Sequence, residues 1–338
     1  MNLTGVEEEF CTQSSNFSCF ERRLASLTAV DVLMYSAAAA VVLLTVCGNL
    51  LVIISICHFK QLHTPTNLLL LSLAVADLLV GALVMPFHFI QLIESHWCFG
   101  AVNCIIDIVL TFFLTCVSIY NVACIAVDRY FALCNPFLYC TKMTVSITLK
   151  IISMIWLSVF VYIMLLLYFN GSITDMTGNT TCAGRCGVQV SENWAVADFT
   201  IAFLVPCLII IIMYLKVFAI AKKHAKTIRS VQEQHRSKDS EKMNSERKAA
   251  KKLGILVSMF LLCLLPYYIA LIIAMYIRTS SLYLSAMHVL NLLYLNSFIN
   301  PIIYALFYAW FQKCFKLILT CRICNSESSL INVFLKDT

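Results

Sequence analysis

Charged residues are scarce. Of 338 residues, 12% are Asp, Glu, Lys or Arg, against 61% hydrophobic. A soluble domain needs a charged surface, and this chain has too little charge to cover one. That places it in the membrane class and leaves no room for a large extra soluble domain. Histidine is also thin. The seven, His58, His63, His88, His96, His224, His235 and His288, are scattered. No pair has metal-ligand spacing within an apolar run, and no paired-Asp or Ser/His centre stands out, so an intramembrane hydrolase lacks its parts and no enzyme is expected. Internal repeats and low-complexity tracts are missing and intramembrane charges are few, which argues against a transporter or channel. The first 28 residues are polar and acidic, without the basic start and apolar core of a cleavable signal peptide. The first spanning helix is expected to act as an uncleaved targeting signal.

What the chain does have is seven apolar runs, at 30–56, 66–90, 101–133, 146–168, 194–219, 253–277 and 284–308. About 20 apolar residues cross ~30 Å of hydrocarbon. Lipid offers the backbone no hydrogen-bond partner, so each run is helical. The expected fold is an all-α membrane protein, a seven-transmembrane-helix bundle with a short amphipathic eighth helix. Its parts are an extracellular segment 1–29, a membrane domain 30–308, and an amphipathic helix with a cytoplasmic tail, 309–338. Residues 284–308 contain no Lys, which excludes a light receptor with a Schiff base in the seventh span.

The net charge is +6, and its placement gives orientation. Lys60 and His63 follow the first span, and Arg129 and Lys142 end and follow the third. After the fifth comes the longest basic stretch, from Lys222 to Lys252. Lys313, Lys316 and Arg322 follow the seventh. The opposite loops hold little beyond Arg22, Arg23, Arg185 and Arg278. The positive-inside bias puts the N-terminus outside and the C-terminus in the cytosol of a plasma-membrane protein. Basic residues that flank spans in this way point to membrane lipid and not to nucleic acid. The four N-x-S/T sequons, at Asn2, Asn16, Asn170 and Asn179, all fall on the expected outside. Of 17 Cys, those inside apolar runs read as small buried hydrophobes. Those in outer loops, Cys11, Cys19, Cys98, Cys104, Cys182 and Cys186, are placed where disulfides form. Residues 311–319 alternate apolar and basic, as a helix on the inner membrane face would. Cys314, Cys321 and Cys324 there are either palmitoylated or free thiols.

Polar groups inside lipid are costly and face the bundle. Asn49, Asp77, Ser118, Asn296, Ser297 and Asn300 lie at mid-depth of four spans. Two readings fit them: an oxygen-lined sodium site, or interhelical hydrogen bonds alone. Pro86, Pro206, Pro266 and Pro301 kink their spans and supply hinges. Asp128-Arg129-Tyr130 ends the third span, where an ion pair can act as a latch. Asp198 lies eight residues before Pro206, about 12 Å along a helix. An intramembrane acid there faces either a ligand cation or a structural partner. Asp107 sits one turn outward of Thr111 on the same helical face. It is either a second ammonium site or an interfacial acid near the helix end.

These marks resemble a rhodopsin-like G-protein-coupled receptor over residues 30–319: Gly48-Asn49, the LAVAD that ends at Asp77, Asp128-Arg129-Tyr130, Trp156, Pro206 with Tyr214, Pro266, and Asn300-Pro301 through Tyr304. Residues 296–311, NSFINPIIYALFYAWF, and the loop TCAGRCGV resemble the trace amine-associated receptors. The resemblance implies a sensor of small amines, in an olfactory neuron, that raises cyclic AMP through a heterotrimeric G protein of the stimulatory or olfactory type. Arrestin is a further partner. No cofactor is required, and an allosteric sodium ion is implied at Asp77, Ser118, Asn296, Ser297 and Asn300. Arg129, Tyr214 and Tyr304 are implied to help open a G-protein cavity. A Cys104–Cys186 bridge is implied, and a second from Cys182 to Cys11, or alternatively to Cys19.

Two positions depart from the family pattern. Thr111 stands where amine receptors carry an Asp, and Leu264 stands where they carry a Trp. The chain resembles a fish-type group whose acidic anchor is in the fifth helix, which gives Asp198 the role of amine counter-ion. Phe112, Phe199, Tyr267, Tyr268 and Tyr294 fall at pocket-lining positions in the family, where rings add cation–π attraction. The competing expectation is a rhodopsin-like receptor for a non-amine small ligand, since Thr111 replaces the usual acid.

Overall fold

The structure is a computed structural model that describes residues 28–94, 97, 99–169, 186, 192–231, 254–270, 272–273, 280–320 and 328–333; for residues 192, 221–231, 280–288 and 290 the description covers backbone only. Regular structure among the described residues is entirely helical. We number the helices α1 (Ala29–His58), α2 (Pro65–Glu94), α3 (Gly100–Cys134), α4 (Pro136–Lys142), α5 (Val145–Phe169), α6 (Asn193–Ile220, continuing as backbone to Val231), α7 (Gly254–Ala270), α8 (Ser280–Phe307) and α9 (Ala309–Leu319). Five of them, α1, α2, α3, α5 and α6, are each long and apolar enough to cross a membrane. The sixth expected span is described over Gly254–Ala270, and the seventh is α8. At Tyr308 the chain turns by 97° into α9, so α9 runs nearly at right angles to the last span. That is the geometry of a surface-lying helix after a spanning one.

Local sequence explains the ends. Thr28 and Asp31 form a reciprocal capping box at the start of α1. It satisfies two orphan N–H groups and contributes about 1 kcal/mol. Thr64 caps α2, with Pro65 at the first helical position, where its missing N–H costs nothing. Gly100 has φ +79°, a left-handed conformation that glycine adopts without strain, and it starts α3. Inside the spans, α2 and α6 each contain one widened turn of π-helix, Val80–Val84 and Phe199–Leu204.

Burial is inverted relative to a soluble protein. Met154, Leu157, Leu215 and Phe218 are two-thirds or more exposed, a surface made for lipid. Asn49, Asp77, Asn121, Asp128, Asp198 and Asn300 are buried in the bundle. The 35-residue α3 packs against α2, α5 and α6 and forms the central post. Trp156 of α5 donates its indole N–H to Ser72 of α2 at 2.9 Å. Close helix approach needs small residues. A Cβ at Gly48 would lie 2.7 Å from Pro301, and one at Gly81 would lie 2.8 Å from Thr45.

Of the two readings of Cys314, palmitoylated or free thiol, its complete burial in the apolar cluster that holds Trp310 and Phe311 favours the free thiol. Cys321 and Cys324 lie outside the described residues. So do Asn2, Asn16, Asn170 and Asn179, along with Cys11, Cys19 and Cys182.

Candidate ligand pocket and activation sites

The Cys104–Cys186 disulfide is formed, with Cα atoms 5.5 Å apart. It clips the otherwise undescribed 170–191 connection to the first turns of α3. Around it, Phe87, Trp97 and Phe99 make edge-on and tilted contacts at 4.9–6.2 Å, and Trp97 donates to the Gly100 carbonyl at 2.8 Å. This small cluster fixes one end of α3 and hence the height of Asp107, which begins the next turn.

Asp107 is half-buried, and its Oδ1 is buried with no hydrogen-bond partner among the described residues. Its charge acts on Tyr294 of α8, whose hydroxyl is also within hydrogen-bonding reach of Thr111. His88 of α2 meets the Tyr294 ring edge-on at 4.6 Å and pairs with Asn291 at 3.0 Å. Asp107, Thr111 and Tyr294 are thus brought together, and Tyr267 lies within electrostatic reach of Tyr294.

Asp198 is 7% exposed and accepts a hydrogen bond from the Tyr162 hydroxyl at 2.9 Å. Among the described residues no basic side chain pairs with it. It ends the α-helical first turns of α6, immediately before the widened turn Phe199–Leu204. A π turn shifts the ladder to i→i+5 and disturbs its regular partners. The Ile201 carbonyl in that turn accepts from the Tyr120 hydroxyl of α3 at 2.9 Å. Cys116 of α3 and Tyr268 of α7 lie within electrostatic reach of Asp198. Cys116 is nine residues along α3 from Asp107, roughly 13 Å at 1.5 Å per residue. The two acids therefore sit at different depths.

Rings fill the space between them. Tyr268 stacks on Phe203 at 4.1 Å, lies 6.1 Å from Phe199, and meets Tyr267 at 5.2 Å. Phe112 does something else: it packs in a separate cluster with Ile163, Leu166 and Leu167 of α5, the bland role of an apolar residue in a span.

Deeper in the bundle, Asp77, Ser297, Asn300 and Asn49 are joined by hydrogen bonds. Asp77 is fully buried and accepts from Ser297 Oγ and from Asn300 Nδ2, each at 2.7 Å. Asn49 donates to the Ser297 and Thr45 carbonyls at 3.0 and 2.9 Å. Ser118 Oγ is buried and has no hydrogen-bond partner among the described residues. It lines a small cavity, with room for about one water molecule, shared with Thr115, Cys263, Leu264, Tyr294, Asn296 and Ser297. Leu264 is thus a wall of a void that leads from Tyr294 towards the Asp77 cluster. The donor set, one carboxylate with hydroxyl and amide oxygens, fits a hard monovalent cation. The unpaired Ser118 Oγ beside Ser297 is the feature that hydrogen bonding alone leaves unexplained.

At the opposite end of α3, Asp128 holds Arg129 through Nη2 at 2.7 Å and Nε at 3.1 Å. The same carboxylate accepts from Thr66 of α2 at 2.7 Å and from Tyr139 of α4 at 2.6 Å. Burial, with Asp128 beside it, pushes the Tyr139 phenol up to about 12, so it stays a donor at any physiological pH. Tyr130 lies under Lys216 of α6, whose Nζ is 5.4 Å from the ring centroid. Tyr214 and Tyr304 have buried hydroxyls without partners among the described residues. Tyr214 lies close to Gly254, at the start of α7 as described.

Sequence reasoning missed Tyr162, Thr66, Tyr139 and Lys216. A tyrosine in an apolar run reads as an apolar residue, and its polar tip emerges only once its neighbours are known. Thr66 and Tyr139 lie on other elements, and nothing in their spacing from Asp128 announces the contact.

Residues 48–304 match the family model of the 7 transmembrane receptor (rhodopsin family). The chain is 38% identical to trace amine-associated receptor 13c of Danio rerio, over 99% of both chains. It is 38% identical to trace amine-associated receptor 7e of Rattus norvegicus and 39% identical to that of Mus musculus, each over 98% of this chain and 94% of the relative. By this family model and these relatives, this chain belongs to the trace amine-associated receptors, within the rhodopsin family of seven-transmembrane receptors, and is a receptor and not an enzyme.

Proposed function

We propose that the protein is a plasma-membrane receptor for small amines, with its N-terminus outside and its C-terminus in the cytosol, and that Asp198 is the counter-ion of the ligand ammonium. The observation that carries this is a carboxylate nine-tenths buried in the bundle whose one hydrogen-bond partner among the described residues, Tyr162, is neutral. A buried charge without an opposite charge is costly, and a ligand cation supplies one. The adjacent Phe199, and Tyr268 within electrostatic reach of it, are aromatic side chains that can add cation–π attraction. The names of the relatives, which carry trace amines, agree with a cationic ligand.

Amine binding at Asp198 draws α6 towards α3 and α7, and the ends of α6 and α7 near Arg129 separate. The equilibrium shifts to a state that a G protein binds beside Arg129, with Tyr214 and Tyr304 free to donate to new partners there. A G protein of the stimulatory or olfactory type then raises cyclic AMP, in an olfactory sensory neuron, and arrestin ends the signal. Asp77, Ser118, Asn296, Ser297 and Asn300 would hold a sodium ion that favours the resting state; the ion supplies charge neutralisation of Asp77 and nothing else. The second reading, a non-amine ligand, is favoured only by Thr111, which puts a neutral hydroxyl where other amine receptors have an acid.

The test is cyclic AMP output from cells that express the wild type, Asp198→Asn or Asp107→Asn, against mono-, di- and tertiary amines. Truncating one partner of a buried charge pair costs 2–5 kcal/mol or more. At 1.4 kcal/mol per tenfold, Asp198→Asn should weaken amine potency by about 30-fold or more at equal surface expression. Amines that activate both proteins alike would remove Asp198 from the site. A loss in Asp107→Asn confined to diamines would give Asp107 the second ammonium; no change there leaves it an interfacial acid. If no amine activates the well-expressed wild type, the non-amine reading replaces this one.

A further inference from the structure

At the Arg129 end of the bundle, residues 328–333 return to the body of the protein. They form a short 3-10 turn, Ser328–Leu330, and lie against Lys60–Leu62, the turn that joins α1 to α2. His58 Nε2 is 2.9 Å from Ser328 Oγ, and the Val333 N–H donates to Gln61 Oε1 at 3.3 Å. Ser328 is 2% exposed and Val333 1%, whereas Leu330 between them is 63% exposed. One face of the segment is therefore inserted and the other is left in solvent. Val333 and Ile331 belong to the apolar cluster that contains Phe59, Leu62 and Cys314. Phe59 and Leu62 are fully covered, which a turn between two spans does not require by itself.

A short segment docked from outside on the α1–α2 turn can open locally without unfolding the bundle. Ser328 is the sensitive point, because its hydroxyl is seated inside the contact. We propose that residues 328–333 are a strap docked on the α1–α2 turn, and that phosphorylation of Ser328 releases it. When the strap opens, a protein kinase can act. Ser328 Oγ attacks the γ-phosphorus of a nucleoside triphosphate, the new O–P bond forms as the bond to the bridging oxygen breaks, and the hydroxyl proton and the nucleoside diphosphate leave. The product carries close to two negative charges and three acceptor oxygens. Returning that group to a site 2% exposed would strip its water. Lys60 and His58 are close enough to attract it, but Lys60 is exposed and an ion pair in water is weak. Release would uncover the Lys60–Leu62 turn next to α9, at the face where a cytosolic partner binds. The kinase step rests on the proposed orientation, with this end in the cytosol; the docking does not.

The experiment is hydrogen–deuterium exchange with mass spectrometry on the full-length receptor in detergent micelles, as wild type, Ser328→Ala, Ser328→Glu and Ser329→Glu. The Ile331 and Val333 amides should exchange at least tenfold more slowly in the wild type, in Ser328→Ala and in Ser329→Glu than in Ser328→Glu. Rapid exchange in the wild type would overturn the docked strap. Equal protection in Ser328→Glu, or opening in Ser328→Ala as full as in Ser328→Glu, would overturn release by charge. Recovery of the receptor from cells with phosphate on Ser328 and slow exchange retained would overturn it too. None of these readouts involves an amine, so their failure leaves the ligand reading untouched.

Discussion

Asp198 and Asp107 illustrate how one residue type takes its meaning from its neighbours. Asp198 has a neutral hydrogen bond from α5 and lies within electrostatic reach of α3 and α7. Asp107 has no partner for its buried oxygen but is half open. From sequence, the place of Asp198 before Pro206 and the family resemblance gave it the counter-ion role, while Asp107 was left as a second ammonium site or an interfacial acid. What the sequence did not offer was Tyr162, whose hydroxyl no apolar-run reading would single out. Gly48 is the mirror case, a residue that matters because it has no side chain. Gly48→Ala would place a Cβ 2.7 Å from the Pro301 Cβ, on a rigid ring that cannot swing aside. Overpacking of this kind costs about 1–3 kcal/mol. The purified variant should lose thermal stability relative to the wild type, whereas Gly254→Ala, where the nearest atom is 3.6 Å away, should not.

The latch at the end of α3 is a property of three helices. The Asp128-Arg129 pair was legible in the chain because the residues are adjacent, but its strength was not. Asp128 also receives Thr66 from α2 and Tyr139 from α4. These contacts span 62 and 11 residues, beyond any local pattern. Each donor steadies the carboxylate that holds Arg129. A hydrogen bond to a charged group contributes about 1.5–3 kcal/mol, so the double variant Thr66→Ala/Tyr139→Phe should raise ligand-free cyclic AMP several-fold at equal surface expression. An unchanged basal level would mean that the pair holds without them. Several element boundaries carry local marks that the apolar runs alone did not use: Thr28 and Asp31 cap α1, Pro65 opens α2, and the turn into α9 follows directly on the last span. The two π turns were not legible, since they depend on what faces the widened backbone, such as Tyr120 opposite Ile201.

Over the whole molecule, composition announced the architecture because the bilayer admits so few solutions. The polar residues that seemed out of place in the sequence form one column from Asp107 down to Asp128. In its middle, the cavity beside Leu264 and Ser118 separates the pocket from the Asp77 cluster. If a cation occupies that cluster in the resting state, exchanging sodium for N-methylglucamine should raise amine potency several-fold. Ser118→Ala, which removes the unpaired oxygen and leaves both Asp77 hydrogen bonds in place, should abolish the ion effect. Equal potency in both media would assign the cluster to interhelical hydrogen bonding.

The widened turns in α2 and α6 also have a practical side. A residue in an α-helix advances the viewing direction by about 100°, and a π turn inserts one residue beyond that count. A substitution scan laid out by stepping back from Pro206, or outward from Asp77, keeps its bearing only as far as Leu204 or Val80. Beyond those points the same arithmetic names side chains on the neighbouring face. Mutant libraries and ligand-docking grids for this receptor should therefore be registered separately on either side of each widened turn, with Asp198 itself as the reference for the segment that precedes Phe199.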